Sequence, residues 1–431
     1  MPSNSTSLSR SGAPSSSALL LQILERPGLV AAIRELPAPV LGKLIERIGL
    51  EDAGELVALA TTAQLERIFD DDLWRADRAA GDETFRPERF ALWLRVMQEA
   101  GEDVLVQRLC ELPEDLLALA LHRLVLVIDM DVVEEQLSFG DEESEALRSA
   151  LETSIVEEWE EFRLIARDPD VWDDVWGALL ALDRDHHDRL RALLEQCCEL
   201  STEYISGQGG LFQVLTAEEM LDSDVAAARD DRRAAEGFVT PADARAFLQL
   251  ARRPGRDDQR DPITRAYFRG LEAKQLPAAR RPEPPPRPTK ALNELAALLH
   301  DADVIAAAPS EPLAALTDGS APKAHLVAPA FEQAMSALRQ RDPDLFSTRM
   351  RELGYLVNVW IAGGVHDGRR PRPVEAMEAV LVTCEAGLRA TLAVETPTAE
   401  QALETVRQTP ADTLFRRGFR DATPQARPSR R

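Results

Sequence analysis

Apolar residues recur along most of the chain at helical spacing. In 40–48, Val40, Leu41, Leu44, Ile45 and Ile48 fall at i, i+1, i+4, i+5 and i+8, which is one face of a helix. In 55–69, Leu56, Leu59, Ala60, Leu65, Ile68 and Phe69 continue the pattern, with a break at Thr61-Thr62. Farther on, Trp159, Phe162, Trp172, Trp176, Leu179 and Leu180 mark further helix between 150 and 252. Start signals agree with this reading. Asp168-Pro169 gives a loop and a helix start, Thr216 with Glu219 forms a capping box, and Thr240-Pro241 with Asp243 supplies an N-cap and a first-turn proline. Helical runs resume over 290–420, where Gly363-Gly364 reads as a helix C-terminus. Strand signals are weak throughout. VLVID at 125–129 is a β-branched run, but the apolar spacing leading into it is helical. The pattern predicts an all-α protein.

One segment repeats faintly. ELPAPVLGKLIERI at 35–48 echoes ELPEDLLALALHRL at 111–124, with leucines at shared offsets and an arginine twelve residues after the glutamate. Pro37 and Pro113 each fall where a helix start tolerates proline. Degenerate copies of this kind predict a superhelical stack of helical hairpins, each burying its apolar face on the next. The expected organisation is a disordered tail over 1–17, the repeat-like domain over 18–252, and a Pro/Arg-rich linker over 253–289 that contains PAARRPEPPPRP. A smaller helical bundle over 290–420 and a basic tail over 421–431 complete it.

Leu36-Pro37, Leu44, Ala58, Leu59 and Leu65 carry a resemblance to the cytosolic N-domain repeats of MgtE-type magnesium transporters, which are similar to those of flagellar motor switch proteins. It covers about 100 residues, and it implies a superhelical scaffold. The chain departs from the transporters in lacking their membrane helices and CBS-pair pattern, so transport does not carry over. A second resemblance runs over about 18–420, through LSTEYISGQGGLFQVLTAEEML, RRAAEGFVTPADARAFL, the stretch from ELGYLVNVWIAGG to LVTCEAGL, and LFRRGF. These segments resemble an uncharacterised bacterial domain-of-unknown-function family connected with myxobacteria. That resemblance implies no activity.

Charge narrows the partners. The chain of 431 residues has net charge −24. Residues 1–252 hold 24 Lys+Arg against 51 Asp+Glu, while 253–431 hold 26 against 23. An acidic first part argues against nucleic acid and anionic membrane, which need basic patches, and suits a basic protein partner or cations. No apolar run approaches the length of a membrane span, and ALLLQIL at 18–24 lacks the flanks of a signal peptide. Cys110, Cys197, Cys198 and Cys384 form no C-x-x-C pair, and they read as buried helix cysteines of a reducing cytoplasm.

Candidate chemistry is sparse. Asp70-Asp71-Asp72 reads as the polar end of a repeat, because three successive carboxylates on a helix point three ways. In DRDHHDRLRALLEQCCE, Asp183 with His187 and Glu195 with Glu199 are i,i+4 pairs that could build a divalent-cation site between helices, although the Glu-x-x-His pairs of di-metal bundles are missing. His186 and His187 are candidates to titrate near neutrality. GQGG at 207–210 fits a glycine loop better than a phosphate cradle, and no nucleophile motif stands in the sequence. The acidic runs DEESE at 141–145 and EEWEE at 157–161 read as helix faces able to dock a basic partner, with Trp159 as a hot-spot candidate if exposed. The reading is a cytoplasmic interaction or scaffold protein without catalysis or cofactor. Its alternative is a metal-dependent enzyme or divalent-cation sensor built on Asp183, His187, Glu195 and Glu199.

Overall fold

A computed structural model describes residues 15–131, 154–206, 216–253, 260–275, 289–302, 304, 329–366 and 368–422. Among them stand 18 α-helices and two small sheets, an all-α fold. GQGG, DEESE and the polyproline run lie outside the described residues, as do most of the two tails.

By its contacts the chain divides into two compact units. The first comprises Met1–Trp74, Phe85–Arg229 and Pro285–Ala308, and the second comprises Arg75–Thr84, Asp230–Pro284 and Pro309–Arg431. The border between the units, after Arg229, thus lies inside a helix, Ala217–Ala235, instead of at the expected 252, and the helix at 290–301 belongs with the first unit.

The first unit opens with short helices: α1 (Ser16–Leu24), α2 (Leu29–Glu35), α3 (Ala38–Ile48), α4 (Gly54–Leu59), α5 (Thr62–Asp72), α6 (Pro87–Ala100), α7 (Glu102–Glu111) and α8 (Glu114–Leu124). Packing skips one helix each time along much of the series: α1 on α3, α2 on α4, α3 on α5, α4 on α6, and α6 on α8. Stacking follows from the apolar face of each helix. Leu41, Leu44, Ile45 and Ile48 of α3 are all buried, for example. The echo in the sequence is an echo in the backbone. Pro37 (φ −57, ψ 135) and Pro113 (φ −56, ψ 134) take the same conformation, each as the cap residue just before its helix. A side chain from elsewhere in the unit closes the helix end before each of them. Gln64 Nε2 donates to the carbonyls of Ile33 and Leu36 at 2.8 and 2.7 Å. Arg189 Nη2 donates to the equivalent carbonyls of Leu109 and Leu112, both at 3.3 Å. These donors satisfy carbonyls that a helix end leaves without partners.

The strands correct the reading of 125–166. β3 (Val125–Asp129), β4 (Val156–Trp159) and β5 (Phe162–Ala166) form an antiparallel sheet in the order β3-β5-β4, with Val125 opposite Ala166 and Trp159 opposite Phe162. EEWEE is therefore a strand and its turn, and Glu160 in that turn takes φ +49. Both faces of β3 are apolar. Val125 and Val127 enter the main core, while Ile128 and Leu126 join a separate cluster with Ile165 and Val156. That double burial erases the apolar–polar alternation that would announce a strand. After a short 3-10 turn, Pro169–Val171, the long helix α9 (Trp172–Ser206) packs on α6, α7, α8 and β3. The helix α10 (Ala217–Ala235) follows, and β1 (Trp74–Ala76) and β2 (Glu83–Phe85) form the other small sheet.

The second unit gathers α11 (Pro241–Arg252), α12 (Pro262–Gln275), α14 (Ala330–Arg341), α15 (Pro343–Gly363), α16 (Pro373–Leu392), α17 (Ala399–Gln408) and α18 (Ala411–Ala422). The helix between α12 and α14, α13 (Lys290–Asp301), instead packs on α2 in the first unit. Phe247, Phe331, Tyr355 and Phe415 are the large buried side chains of the second unit's core. α12 corrects the linker reading. Asp261 caps it, with Oδ1 accepting from the Ile263 and Thr264 amides at 3.0 and 2.9 Å, and Thr264 is fully buried.

Candidate functional site

Asp183, His187, Glu195 and Glu199 share α9, which kinks at His186 (φ −137, ψ 46). The kink leaves Asp183 beside His187, with Oδ1 2.8 Å from Nδ1. The other ring nitrogen faces Glu160 Oε1 at 3.2 Å. The chain of contacts then passes to a cation: Arg191 holds Glu160 at 2.7 Å and Glu195 at 3.1 Å, and it also pairs with Glu161. A guanidinium thus connects the carboxylate at 160 to the carboxylate at 195, and Glu199 is exposed. Among the described residues no three His, Cys, Asp or Glu side chains gather in a way that could hold a metal ion. The hydrogen bond that the His187 ring donates to Asp183 and the charge of Glu160 raise the His187 pKa.

Trp159 differs from its expected role. It is 8% exposed and near-parallel to Phe162 at 6.4 Å, and its ring lies 5.1 Å from that of His187. It is a core residue of the β4–β5 turn, because the strand register puts it opposite Phe162 on the buried face. The three aspartates behave as the end of a repeat. Asp71 pairs with Arg67 at 3.0 Å, while Asp72 is held by Arg89 at 2.7 and 3.1 Å and by Trp93 Nε1 at 2.7 Å. Asp70 is buried, and its carbonyl accepts from Arg229 at 2.6 Å. Cys197, Cys198 and Cys384 are buried thiols, and burial pushes Cys197 up to about 12.

The second unit holds a cavity of about 480 Å³ that the sequence reading missed. The end of α10 contributes Asp230, Asp231 and Ala234. The connection to α11 contributes Phe238, Val239 and Thr240, and the first turn of α11 contributes Asp243. Pro262, Ile263, Ala266 and Tyr267 come from the start of α12, and Tyr355 comes from α15. Local chemistry explains how these starts are placed. Thr240 Oγ1 accepts from the Asp243 amide at 3.1 Å, with Pro241 at the first helical position. Gly237, at φ +90, turns the chain out of α10 and offers its carbonyl to Tyr267 Oη at 3.1 Å and to Asn358 Nδ2 at 2.6 Å.

Two phenols form the aromatic part of the wall. The Tyr267 and Tyr355 rings lie 4.5 Å apart at 39°. Burial raises the pKa of both, so both stay neutral. The Tyr355 hydroxyl lies 3.2 Å from Thr264 Oγ1, which donates onward to Asp261 Oδ2 at 2.6 Å. Ions are buried in the same unit. Glu352 is held by Arg349 at 3.1 and 3.2 Å, by Arg260, and by the Ala411 amide at 2.9 Å. Asp412 is fully buried, 3.4 Å from Arg260 Nε and 3.5 Å from Arg416 Nη2. Burial pushes its carboxyl up to about 6.

Aromatic faces beside carboxylates attract cations, and the phenols are engaged in fixed hydrogen bonds. The signal available in the sequence was Asp261-Pro262 followed by Ile263 and Tyr267-Phe268, the same cap-and-proline start as Thr240-Pro241, but arginines on either side concealed it.

Residues 3–203 match the model of a family of unknown function (DUF6178). A search of the curated proteins found no match, and neither did a search of the solved structures.

Proposed function

We propose that the protein is a cytoplasmic interaction protein that binds a basic protein partner and performs no chemistry of its own. The observation that carries this reading is the cavity of the second unit, in which three carboxylates stand beside aromatic side chains. The excess of acid over residues 1–252 adds a long-range attraction for the same kind of partner. Helix packing in the first unit supports a scaffold, since stacked helical pairs present extended faces. The free cysteines accord with a reducing compartment. The test is affinity capture of the tagged full-length protein from its native cells at low and high salt, with identification by mass spectrometry. The expected result is a stoichiometric partner with a basic segment, released at high salt. A partner whose contact segment is acidic or neutral would overturn the reading, as would capture of nothing above background.

A further inference from the structure

We propose that α2 and the turn before it form a groove for an amphipathic helix, and that α13 is its detachable occupant, held in cis. The proposal goes beyond the partner reading and stands without the cavity or the acidic charge. Its basis is where α13 comes from and how little of it is buried. Along the chain, α13 follows Asp230–Pro284 and precedes Pro309–Arg431, both of which belong to the second unit. It nevertheless packs on α2 in the first unit, and its hydrogen bonds there join residues 254 to 268 positions apart. The first members of a helical stack have no earlier repeat to cover them, and such ends need a cap. α13 supplies that cover.

The contact has the marks of helix-in-groove recognition. Ala291, Leu295, Leu299 and Ala302 fall at i, i+4, i+8 and i+11, one stripe of a helix, and the last three are buried in the main core of the first unit. Ala291 stands against the turn before α2, where Gly28 takes φ +73. A Cβ on Gly28 would lie 3.1 Å from that of Ala291, so both positions call for a small residue. Thr289 Oγ1 donates to Glu35 Oε2 at 2.9 Å and accepts from the Leu292 amide at 3.2 Å. One hydroxyl thereby caps α13 and joins it to the end of α2. Arg26 Nη1 donates to the Glu294 carbonyl at 2.8 Å. A partner helix that fits therefore has a hydroxyl at its N-cap, then a small residue and two leucines at the spacing of Ala291, Leu295 and Leu299. Little else holds α13 in place. Two of its 12 residues are buried, against four of 11 in α3 and eight of 11 in α8. A helix this short is marginal in water, so docking must also meet the cost of forming it. Belonging to the same chain raises the effective concentration of α13 at the groove, and a free helix competes with that advantage instead of with a large buried surface.

The test measures binding of a dye-labelled, capped peptide of residues 289–302 to the full-length protein by fluorescence anisotropy. The unaltered protein is expected to exclude the peptide, because its own α13 fills the groove. The double variant Leu295→Ser/Leu299→Ser should bind it at least about tenfold more tightly than the unaltered protein does. A peptide carrying the same two serines should bind neither protein. One carrying Ala291→Leu should bind the double variant at least about fivefold more weakly than the natural peptide. Equal binding of the natural peptide to both proteins would overturn the proposal, as would no binding to a double variant that keeps its helical circular dichroism. Full tolerance of Ala291→Leu would overturn it as well. Hydrogen exchange on the unaltered protein gives the answer even where the double variant does not fold. Amides of α13 are expected to exchange at least about tenfold faster than those of α6 and α8. Equal protection would make α13 part of the cooperative core, with no groove to vacate, and would overturn the proposal. The partner reading is judged separately by affinity capture, and neither result here moves it.

Discussion

Asp412 carries a charge that its surroundings disfavour. It is fully buried, and among the described residues neither carboxylate oxygen has a hydrogen-bond partner, although Arg260 and Arg416 lie at 3.4 and 3.5 Å. Desolvation outweighs the two arginines and raises its pKa from 3.8 to about 6. Because the folded value lies above the unfolded one, the fold favours the protonated acid. The stability contributed by that proton is fully present below the unfolded value and is lost as pH rises through about 6. The size is about 3 kcal/mol, from roughly two units at about 1.4 kcal/mol each. Asp412→Asn should remove this dependence. Urea unfolding of both proteins at pH 7 and near pH 4 should show the gap between them changing by about 2–3 kcal/mol, and a gap that stays constant would rule out the assignment. At this scale the sequence was informative wherever a residue acts on its near neighbours. Thr216, Thr240 and the Asp70-Asp71-Asp72 run behave as their spacing implied. It was silent where a residue acts across the fold. Nothing near Asp412 announces Arg260, and nothing near Asp183 announces that Glu160 faces the other side of His187.

Elements touch most closely where side chains vanish. In α16 and α18, Gly387 and Gly418 bring two helix backbones together. A Cβ on Gly387 would stand 1.8 Å from the Leu414 carbonyl oxygen, and one on Gly418 would stand 1.9 Å from that of Thr383. Backbone atoms cannot give way as a flexible side chain can, so Gly387→Ala must part the helices at a cost of about 3 kcal/mol or more. Gly354, in the middle of α15, meets nothing within 4 Å. There alanine should stabilise by about 0.5–1 kcal/mol, because it lowers the entropy lost on helix formation. Thermal unfolding of the two variants should therefore move in opposite directions, and a stable Gly387→Ala would contradict the close crossing. Helices were legible because their apolar stripe has a period that survives burial on one side. The sheet was not legible, since Val127 and Ile128 of β3 are buried in two different clusters and leave no polar face to read.

At the scale of the molecule, composition marked solvated backbone and packing decided membership. The stretch 253–289 has the proline and arginine of a linker, yet within it α12 is capped by Asp261, 8% exposed, and carries the fully buried Thr264. The helix α11, assigned by its place in the chain to the first domain, packs on α15 through Phe247, whose ring meets that of Tyr355 edge-on at 5.8 Å. A fragment cut at the compositional border, 290–431, would therefore lose Phe247, Thr264, Asp261 and Tyr267 together. It would leave Tyr355 open to water and Glu352 without Arg260. Exposed apolar surface and a half-paired buried carboxylate are each destabilising, so this fragment should show no cooperative unfolding transition by circular dichroism. A fragment starting at 230 keeps α11 and α12. It loses Glu83, the partner of Arg233 and Arg370, so it should unfold cooperatively with reduced stability. If 290–431 unfolded as sharply as 230–431, the C-terminal helices would form a domain of their own. The cavity would then be separable from them, and the border read from composition would be the real one.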